Sequence, residues 1–201
     1  MGSSAQAIGE RQGEDYYETE PAAIDELLSK ERFNHKIWEP ACGKRSLSRR
    51  LEEHGYEVRD SDIVVRPCDK PTEKLDFMEC LDSWDGDIIT NPPFKIATDF
   101  ILHALGLVRE GAKVAMFLRL QFLEGRSKYR RLYERFPPKA IYVCSDRLNC
   151  AKNGDFEKYK LNNYVAYAWF VWEKGYKGLP TLDWINTGKK GDEPKLEDLW
   201  D

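Results

Sequence analysis

The tetrapeptide Asn91-Pro92-Pro93-Phe94 contains the residue types that point most directly to chemistry. An amino nitrogen on an aromatic ring is a weak nucleophile because its lone pair is delocalised into the ring. Two hydrogen-bond acceptors at a fixed angle can accept from both amino hydrogens, which directs the nitrogen lone pair away from these acceptors. The side-chain oxygen of Asn91 and the backbone carbonyl of Pro92 form such a pair, since two successive prolines restrict the backbone around them. These are preorganised dipoles, and Phe94 adds a ring on which a flat substrate can stack.

Other polar groups follow neighbouring strands that the sequence predicts. Glu39-Pro40-Ala41-Cys42-Gly43 follows one strand, and Asp62 ends the next. Ligands of open α/β sheets bind beyond the carboxyl ends of the strands, so this convergence favours a binding site. Asp62 can accept both hydroxyls of a ribose. The structural alternatives are a turn residue or helix cap at Asp62, with Asp60 as a rival acid, and a simple Pro-Pro turn at the tetrapeptide.

Strands and helices alternate in the apolar pattern. Strands are predicted at 36–40, 56–63, 86–90, 113–118, 140–144 and 164–172, and helices at 21–30, through Leu47 and Leu51 to about Gly55, at 99–109 and at 127–136. This alternation predicts an α/β fold, a mainly parallel sheet with helices on both faces. We expect residues 1–14 to be a disordered leader, 15–175 the folded domain and 176–201 an acidic C-terminal tail.

Composition narrows the classes of function. The net charge of -4 argues against a protein that binds nucleic acid over its whole surface, so such contact needs a local patch. The five cysteines include no CxxC pair and the three histidines are scattered, so neither a disulfide framework nor a metal site is expected. No apolar run approaches the roughly 18 residues of a membrane span, and the first residues lack the pattern of a signal peptide. A cytoplasmic protein without membrane contact is expected.

Taken together, these segments resemble the class I S-adenosylmethionine-dependent methyltransferases, in particular the amino-methyltransferases that act on adenine in DNA. The resemblance runs from about Tyr16 to Trp172. In its general features the chain resembles small phage or prophage methyltransferases, which would work in the host cytoplasm. The resemblance implies a Rossmann-like class I methyltransferase fold with an antiparallel late strand, S-adenosylmethionine as cofactor, and catalysis by Asn91, Pro92, Pro93 and Phe94. The cofactor-binding residues that it implies are Tyr17, Thr19, Glu39, Ala41, Gly43, Asp62, Ile63, Asp76, Phe77 and Asn91.

Two positions depart from that family's pattern. Where the family has Gly-x-Gly, this chain has Gly43-Lys44-Arg45, and the second glycine normally lets the backbone approach the cofactor. Arg45 either reaches the cofactor carboxylate or blocks the pocket, and in the second case the domain is a non-catalytic binding protein. After Trp172 about thirty residues remain, too few for a full target-recognition domain, so a partner or a dimer is expected to supply recognition.

The substrate remains open among groups that present a planar amino nitrogen. Adenine in DNA is the first expectation, and an RNA adenine or a protein glutamine is the alternative. The basic residues Arg126, Lys128, Arg130 and Arg131 form either a patch that contacts phosphates or an ordinary solvated helix face. Thr19 has a second interpretation as a cap of the helix that begins at Pro21, and Phe77 has one as a core residue.

Overall fold

The computed structural model describes residues 17–145, 150–152 and 165–185, so the predicted leader at 1–14 lies outside the described residues. The strands are β1 Tyr17–Thr19, β2 Lys36–Glu39, β3 Glu57–Asp62, β4 Glu73–Lys74, β5 Asp87–Thr90, β6 Lys113–Arg119, β7 Ala140–Cys144, β8 Cys150–Lys152, β9 Tyr167–Glu173 and β10 Thr181–Ile185. The helices are α1 Ala22–Lys30, α2 Ser46–Glu53, α3 Ala97–Leu107 and the single turn α4 Arg126–Lys128, which continues as a π-helix over Tyr129–Tyr133. Short 3₁₀ turns cover Phe77–Glu79, Phe94–Ile96 and Leu120–Leu123.

Eight of these strands form one mixed sheet in the order β10-β7-β9-β6-β5-β2-β3-β4. β6, β5, β2, β3 and β4 run parallel to one another, whereas β9 lies antiparallel between β6 and β7. The predicted α/β fold with an antiparallel late strand is therefore confirmed. β1 and β8 pair separately as a small antiparallel ribbon.

Both faces of the central strands are buried, which explains why the late strand β9 is apolar at nearly every position. Along β9, Trp169 and Val171 pack into the core under α1 and α2, whereas Phe170 and Trp172 pack into the core on the α3 side. Successive residues of a strand point to opposite faces, so a strand covered on both sides needs an apolar residue at each position. Burial of each large side chain contributes about 1.5–3 kcal/mol.

The sheet extends past the predicted domain end at residue 175. β10 lies in the segment predicted as a tail, runs parallel to β7 and pairs Ile185 with Cys144. Ile185 is buried, whereas the other four residues of β10 are exposed. So few buried positions carry little periodic signal, which is why the sequence predicted a tail here.

The predicted helix at 127–136 is also corrected. Only one turn is α-helical, and the N–H of Glu134 then donates to the carbonyl of Tyr129, the i to i+5 spacing of a π-helix. Leu132 is buried, but Tyr129 and Phe136 are exposed. The wider turn breaks the 3.6-residue stripe on which the prediction depended.

None of the helices within the described residues is both long enough and apolar enough to cross a bilayer.

Candidate functional site

The carboxyl ends of β2, β3 and β5 surround a cavity of about 350 Å³. Residues from all the predicted segments form its wall: Thr19, Glu39, Ala41, Asp62, Ile63, Asp76, Phe77, Asn91, Pro92, Pro93 and Phe94. The structure therefore brings together the side chains that the strand-end argument assigned to one edge of the sheet.

Two predicted residues stand apart from that wall. Gly43 lies behind it, where its N–H donates to Oδ2 of Asp62 over 2.8 Å. Its φ of 55° is in the left-handed region that glycine adopts without steric cost. The backbone of Tyr17 pairs with Lys152 in the β1–β8 ribbon, and its side chain lies outside the described part of the chain.

Asp62 is the acid that faces the cavity. Its Oδ1 accepts from the Val64 N–H at 2.8 Å and from Nη1 of Arg66 at 3.2 Å, while Gly43 holds Oδ2. The rival, Asp60, instead accepts from Nε of Arg45 over 2.8 Å and is absent from the cavity wall. Asp60 and Asp62 of β3 thus have different roles. Asp62 faces the cavity and is available to a ligand, whereas Asp60 pairs with Arg45 inside the protein.

Arg45 follows neither alternative that its sequence position suggested. It is fully buried and points away from the cavity, where Nε, Nη1 and Nη2 donate to Asp60, Asp69 and Glu52 at 2.8, 2.6 and 2.7 Å. Its backbone has φ 66° and ψ 27°, the left-handed conformation that a glycine would adopt here. The backbone at Arg45 is thus in a conformation that favours glycine, and its side chain is not part of the cavity wall.

Glu39 is a buried carboxyl group in the cavity wall. Burial raises its pKa to about 8, against the opposing effect of hydrogen bonds from Ser48, whose hydroxyl donates to Oε2. The nearby carboxylates Asp60 and Asp62 raise the pKa further. Glu39 is therefore mostly protonated at neutral pH in the ligand-free protein.

Asp76 and Phe77 occupy the 3₁₀ turn beside the cavity. The carboxylate of Asp76 accepts from the N–H of Met78 at 3.0 Å and so caps that turn. The Phe77 ring lies edge-on to Trp38, with centroids 5.1 Å apart, and 4.5 Å from the ring of Phe100. Phe77 is thus a core residue that also contributes part of its surface to the cavity.

Asn91 is held by a residue 72 positions earlier in the chain. Its Nδ2 donates to Oγ1 of Thr19 over 2.9 Å, and Thr19 is buried. The alternative interpretation of Thr19 as a helix cap is wrong, because α1 has no side-chain cap at its N-terminus. The bond orients the amide with Nδ2 toward Thr19, so that Oδ1 is the acceptor at the other end of the group.

Several cavity residues were not predicted from the sequence. Ser46 donates a hydrogen bond to the carboxylate of Glu18, and both line the cavity together with Arg66, Leu75 and Met78. Glu18 lies between Tyr17 and Thr19, which were both predicted to bind the cofactor, so its position in the sequence could have indicated that it lines the cavity. Ser46 and Arg66 carried no motif signal, since their positions depend on how the loops fold back.

The predicted basic patch lies outside the cavity. Arg126 and Arg130 are exposed, Arg131 forms an ion pair with Asp99, and Nζ of Lys128 lies 4.9 Å from the centroid of Phe122. Its contact with nucleic acid remains a prediction.

No group of three or more potential metal ligands occurs within residues 17–145, 150–152 and 165–185.

No protein-family model matches the chain, and no curated protein matches its sequence. Solved structures do match. A protein from Agrobacterium tumefaciens assigned as an O-methyltransferase aligns with a TM-score of 0.58 and 15% identity, over 89% of this chain and 94% of that one. A protein from Listeria monocytogenes assigned as a class I S-adenosylmethionine-dependent methyltransferase aligns with a TM-score of 0.55 and 12% identity, over 81% and 62% of the two chains.

The chain has the class I methyltransferase fold. A third structure, the modification subunit assigned to a type I restriction enzyme of Vibrio vulnificus, matches with a TM-score of 0.55 and 13% identity, over 88% of this chain and 49% of that one. The chain therefore spans less than two thirds of the Listeria and Vibrio proteins. In this methyltransferase fold, the cavity lies at the edge where the parallel strands end.

Replacement of Arg45 tests whether its ion pairs stabilise the folded protein by more than its left-handed backbone destabilises it. Arg45→Met removes the hydrogen-bonded cation of the buried Asp60 and leaves only Nζ of Lys70, 3.8 Å away, so the free energy of unfolding should fall by about 3–5 kcal/mol in urea titrations. The matched control Arg49→Met removes an exposed arginine 3.8 Å from Asp69 and should cost less than about 1 kcal/mol. Arg45→Gly relieves roughly 1–2 kcal/mol of left-handed strain and should still destabilise. A glycine variant more stable than wild type would contradict the assignment.

The pKa of Glu39 predicts a specific pH dependence of stability. Its ordinary value is 4.5 and its folded value about 8, so the folded state binds a proton that the unfolded state has lost between these values. Stability from this group is complete below pH 4.5 and disappears as the pH rises through 8. Glu39→Gln should remove that decline, and unfolding free energies of both proteins, measured across this range, isolate the effect. If the unfolding free energies of wild type and Glu39→Gln depended on pH in the same way, a buried neutral Glu39 would be excluded.

Proposed function

We propose that this protein transfers a methyl group from S-adenosylmethionine to an exocyclic amino group, with N6 of adenine in DNA as the first candidate. The observation that carries the proposal is that Asn91-Pro92-Pro93-Phe94 shares one cavity with Asp62 and Glu39. A pair of amide-type acceptors beside a nucleoside-sized acidic pocket suits the transfer of a group from a nucleoside cofactor to a planar amine.

The residues present fit the cofactor. Asp62 offers a carboxylate for the ribose hydroxyls, Ile63 and Phe77 offer apolar surface for the adenine ring, and Asp76 offers an acceptor for its amino group. Glu39 and Glu18 are acids suited to the ammonium of the methionine portion. The volume of about 350 Å³ lies in the range of small-molecule sites, about 300–1,000 Å³. When bound, S-adenosylmethionine supplies a methyl group made electrophilic by its sulfonium.

The chain's own contribution to the reaction is orientation of the amino group. Oδ1 of Asn91 and the carbonyl of Pro92 accept its two hydrogens, which directs the lone pair at the methyl group. Thr19 keeps the amide of Asn91 in the required orientation through its bond to Nδ2. Phe94 provides the stacking surface for the base, a contact worth about 1–3 kcal/mol.

A non-catalytic binding protein was the alternative suggested by Arg45. The direction of its side chain, toward Asp60, Asp69 and Glu52, removes the steric reason for that alternative. Calorimetry with S-adenosylmethionine separates the two, since heat of binding is required by the enzyme proposal and its absence would exclude the enzyme.

DNA is preferred over RNA and over a protein glutamine for two reasons. The exposed basic residues Arg126 and Arg130 suit a phosphate backbone, and one protein with the same fold is a modification subunit assigned to a type I restriction enzyme. A duplex substrate must rotate its adenine out of the stack to reach Asn91. By analogy with that subunit, a partner or a second copy of this chain is proposed to supply target recognition.

The deciding experiment is transfer of a tritiated methyl group to DNA, RNA and protein fractions in parallel. Label in adenine of DNA supports the first candidate. Label only in RNA or in protein glutamine would replace it with that substrate.

Asn91→Ala should lose methyl transfer while it keeps the affinity for S-adenosylmethionine. Removal of a preorganised acceptor at the reacting group is expected to lower kcat by about 100- to 1,000-fold. Single-turnover assays give kcat, and calorimetry gives the cofactor Kd. Asn34→Ala, the same change at the amino edge of the sheet, is the control. Near wild-type turnover by Asn91→Ala would refute the mechanism.

Thr19→Val tests whether Thr19 orients the Asn91 amide or binds the cofactor. Valine keeps the shape but cannot accept from Nδ2, so the amide is free to rotate and kcat should fall by about 3- to 10-fold. Thr19→Ser restores the hydroxyl and should restore the rate, with the cofactor Kd unchanged in both. If the Kd rises while kcat at saturating cofactor is unchanged, Thr19 serves the cofactor instead.

A further inference from the structure

Arg119 is placed beside the tetrapeptide but outside the cavity. It ends β6 at the same edge of the sheet at which Asn91 follows β5. Its guanidinium carbon lies 5.0 Å from the centroid of the Phe94 ring, and Arg119 pairs across the strands with Tyr167, whose ring is 6.4 Å from that of Phe94. Phe94 lines the cavity, whereas Arg119 lies beside that ring and is not part of the cavity wall.

Among the described residues, the donors of Arg119 lack the carboxylate partners that several other arginines have. Arg45, Arg50 and Arg59 each donate to carboxylates. In contrast, Nε of Arg119 is buried without a hydrogen-bond acceptor, and its guanidinium forms no ion pair within the described chain. Buried donors are nearly always satisfied, so one left open at a binding edge indicates an acceptor that arrives with a ligand.

The surroundings of Arg119 indicate the substrate side of the site. A groove of about 380 Å³ begins at the next residue and is lined by Leu120, Gln121, Leu123, Glu124, Val165 and Ala166. The acids Glu39 and Asp62 line the other cavity, whose wall includes Phe94. A ligand that stacks on Phe94 can therefore extend past Arg119 into this groove.

We infer that Arg119 binds a backbone phosphate of the substrate next to the base that stacks on Phe94, and thereby selects a nucleic acid over a protein glutamine. The planar guanidinium matches phosphate oxygens with two parallel hydrogen bonds. A nucleotide always carries that anion close to its base, whereas a glutamine side chain has none. This inference rests on the proposed function for the stacked amine, but phosphate binding can be measured without catalysis.

The test is fluorescence anisotropy of labelled oligonucleotides, with binding measured at several salt concentrations. Arg119→Met should weaken binding by about 10-fold or more, and it should reduce the salt slope by about 0.9 on duplex DNA or about 0.7 on single-stranded RNA. Arg119→Lys keeps the charge and should retain most of the slope. Arg109→Met removes an exposed arginine at the amino edge of the sheet and should change neither quantity. The DNA and RNA arms identify which polymer supplies the phosphate, and thermal melts establish that each variant is folded.

The outcomes separate this inference from the proposed function. If wild type methylates a nucleic acid but Arg119→Met binds it with unchanged affinity and slope, the inference fails and the function stands. If wild type transfers no methyl group but its oligonucleotide binding depends on Arg119, the inference stands and the proposed function fails. Transfer to a glutamine peptide by both wild type and Arg119→Met, without oligonucleotide binding, would overturn the inference.

Discussion

The contact between the Arg45 guanidinium and its carboxylates is the interaction on which the geometry of the site depends. It ties the loop after β2 to β3 through Asp60, to α2 through Glu52 and to the loop after β3 through Asp69. A buried cation costs several kcal/mol unless its donors are satisfied, so these elements are stable only as a set. The left-handed backbone at Arg45 is held by the same contacts, and the loop leaves the cavity open.

Acids that lie close together at this edge are accommodated in different ways. Asp60 is paired with Arg45, whereas Asp62 accepts from Gly43, Val64 and Arg66. Glu39 has no cation partner of this kind among the described residues, and burial raises its pKa to about 8. The same acids help burial to raise the pKa of the Cys42 thiol well above its usual range, which leaves Cys42 a packing residue. A cationic ligand group would meet Asp62 and Glu39 at the cavity wall.

The surface beside the tetrapeptide and outside the cavity has a different electrostatic character. Arg119 lies next to Phe94 but does not line the acidic cavity, and the basic residues Arg126 and Arg130 are exposed further along the chain. Acids in a cavity repel a polyanion, so a phosphate backbone needs a separate cationic surface. β6 ends beside β5 at the same edge of the sheet, which places Arg119 next to Phe94 but outside the cavity wall.

The sequence by itself determined the alternation of strands and helices, the acids at strand ends and the acceptor tetrapeptide. These features are local, because burial on both faces leaves a continuous apolar run and a Pro-Pro pair restricts its own backbone. The strand β10 escaped prediction because its single buried residue, Ile185, packs only once β7 is in place. Only the tertiary structure decided that Arg45 turns away from the cavity, that Thr19 holds Asn91, and that Arg119 lies over Phe94. Each of these depends on a partner distant in sequence, and the direction of a long side chain is set by the charges that surround it after folding.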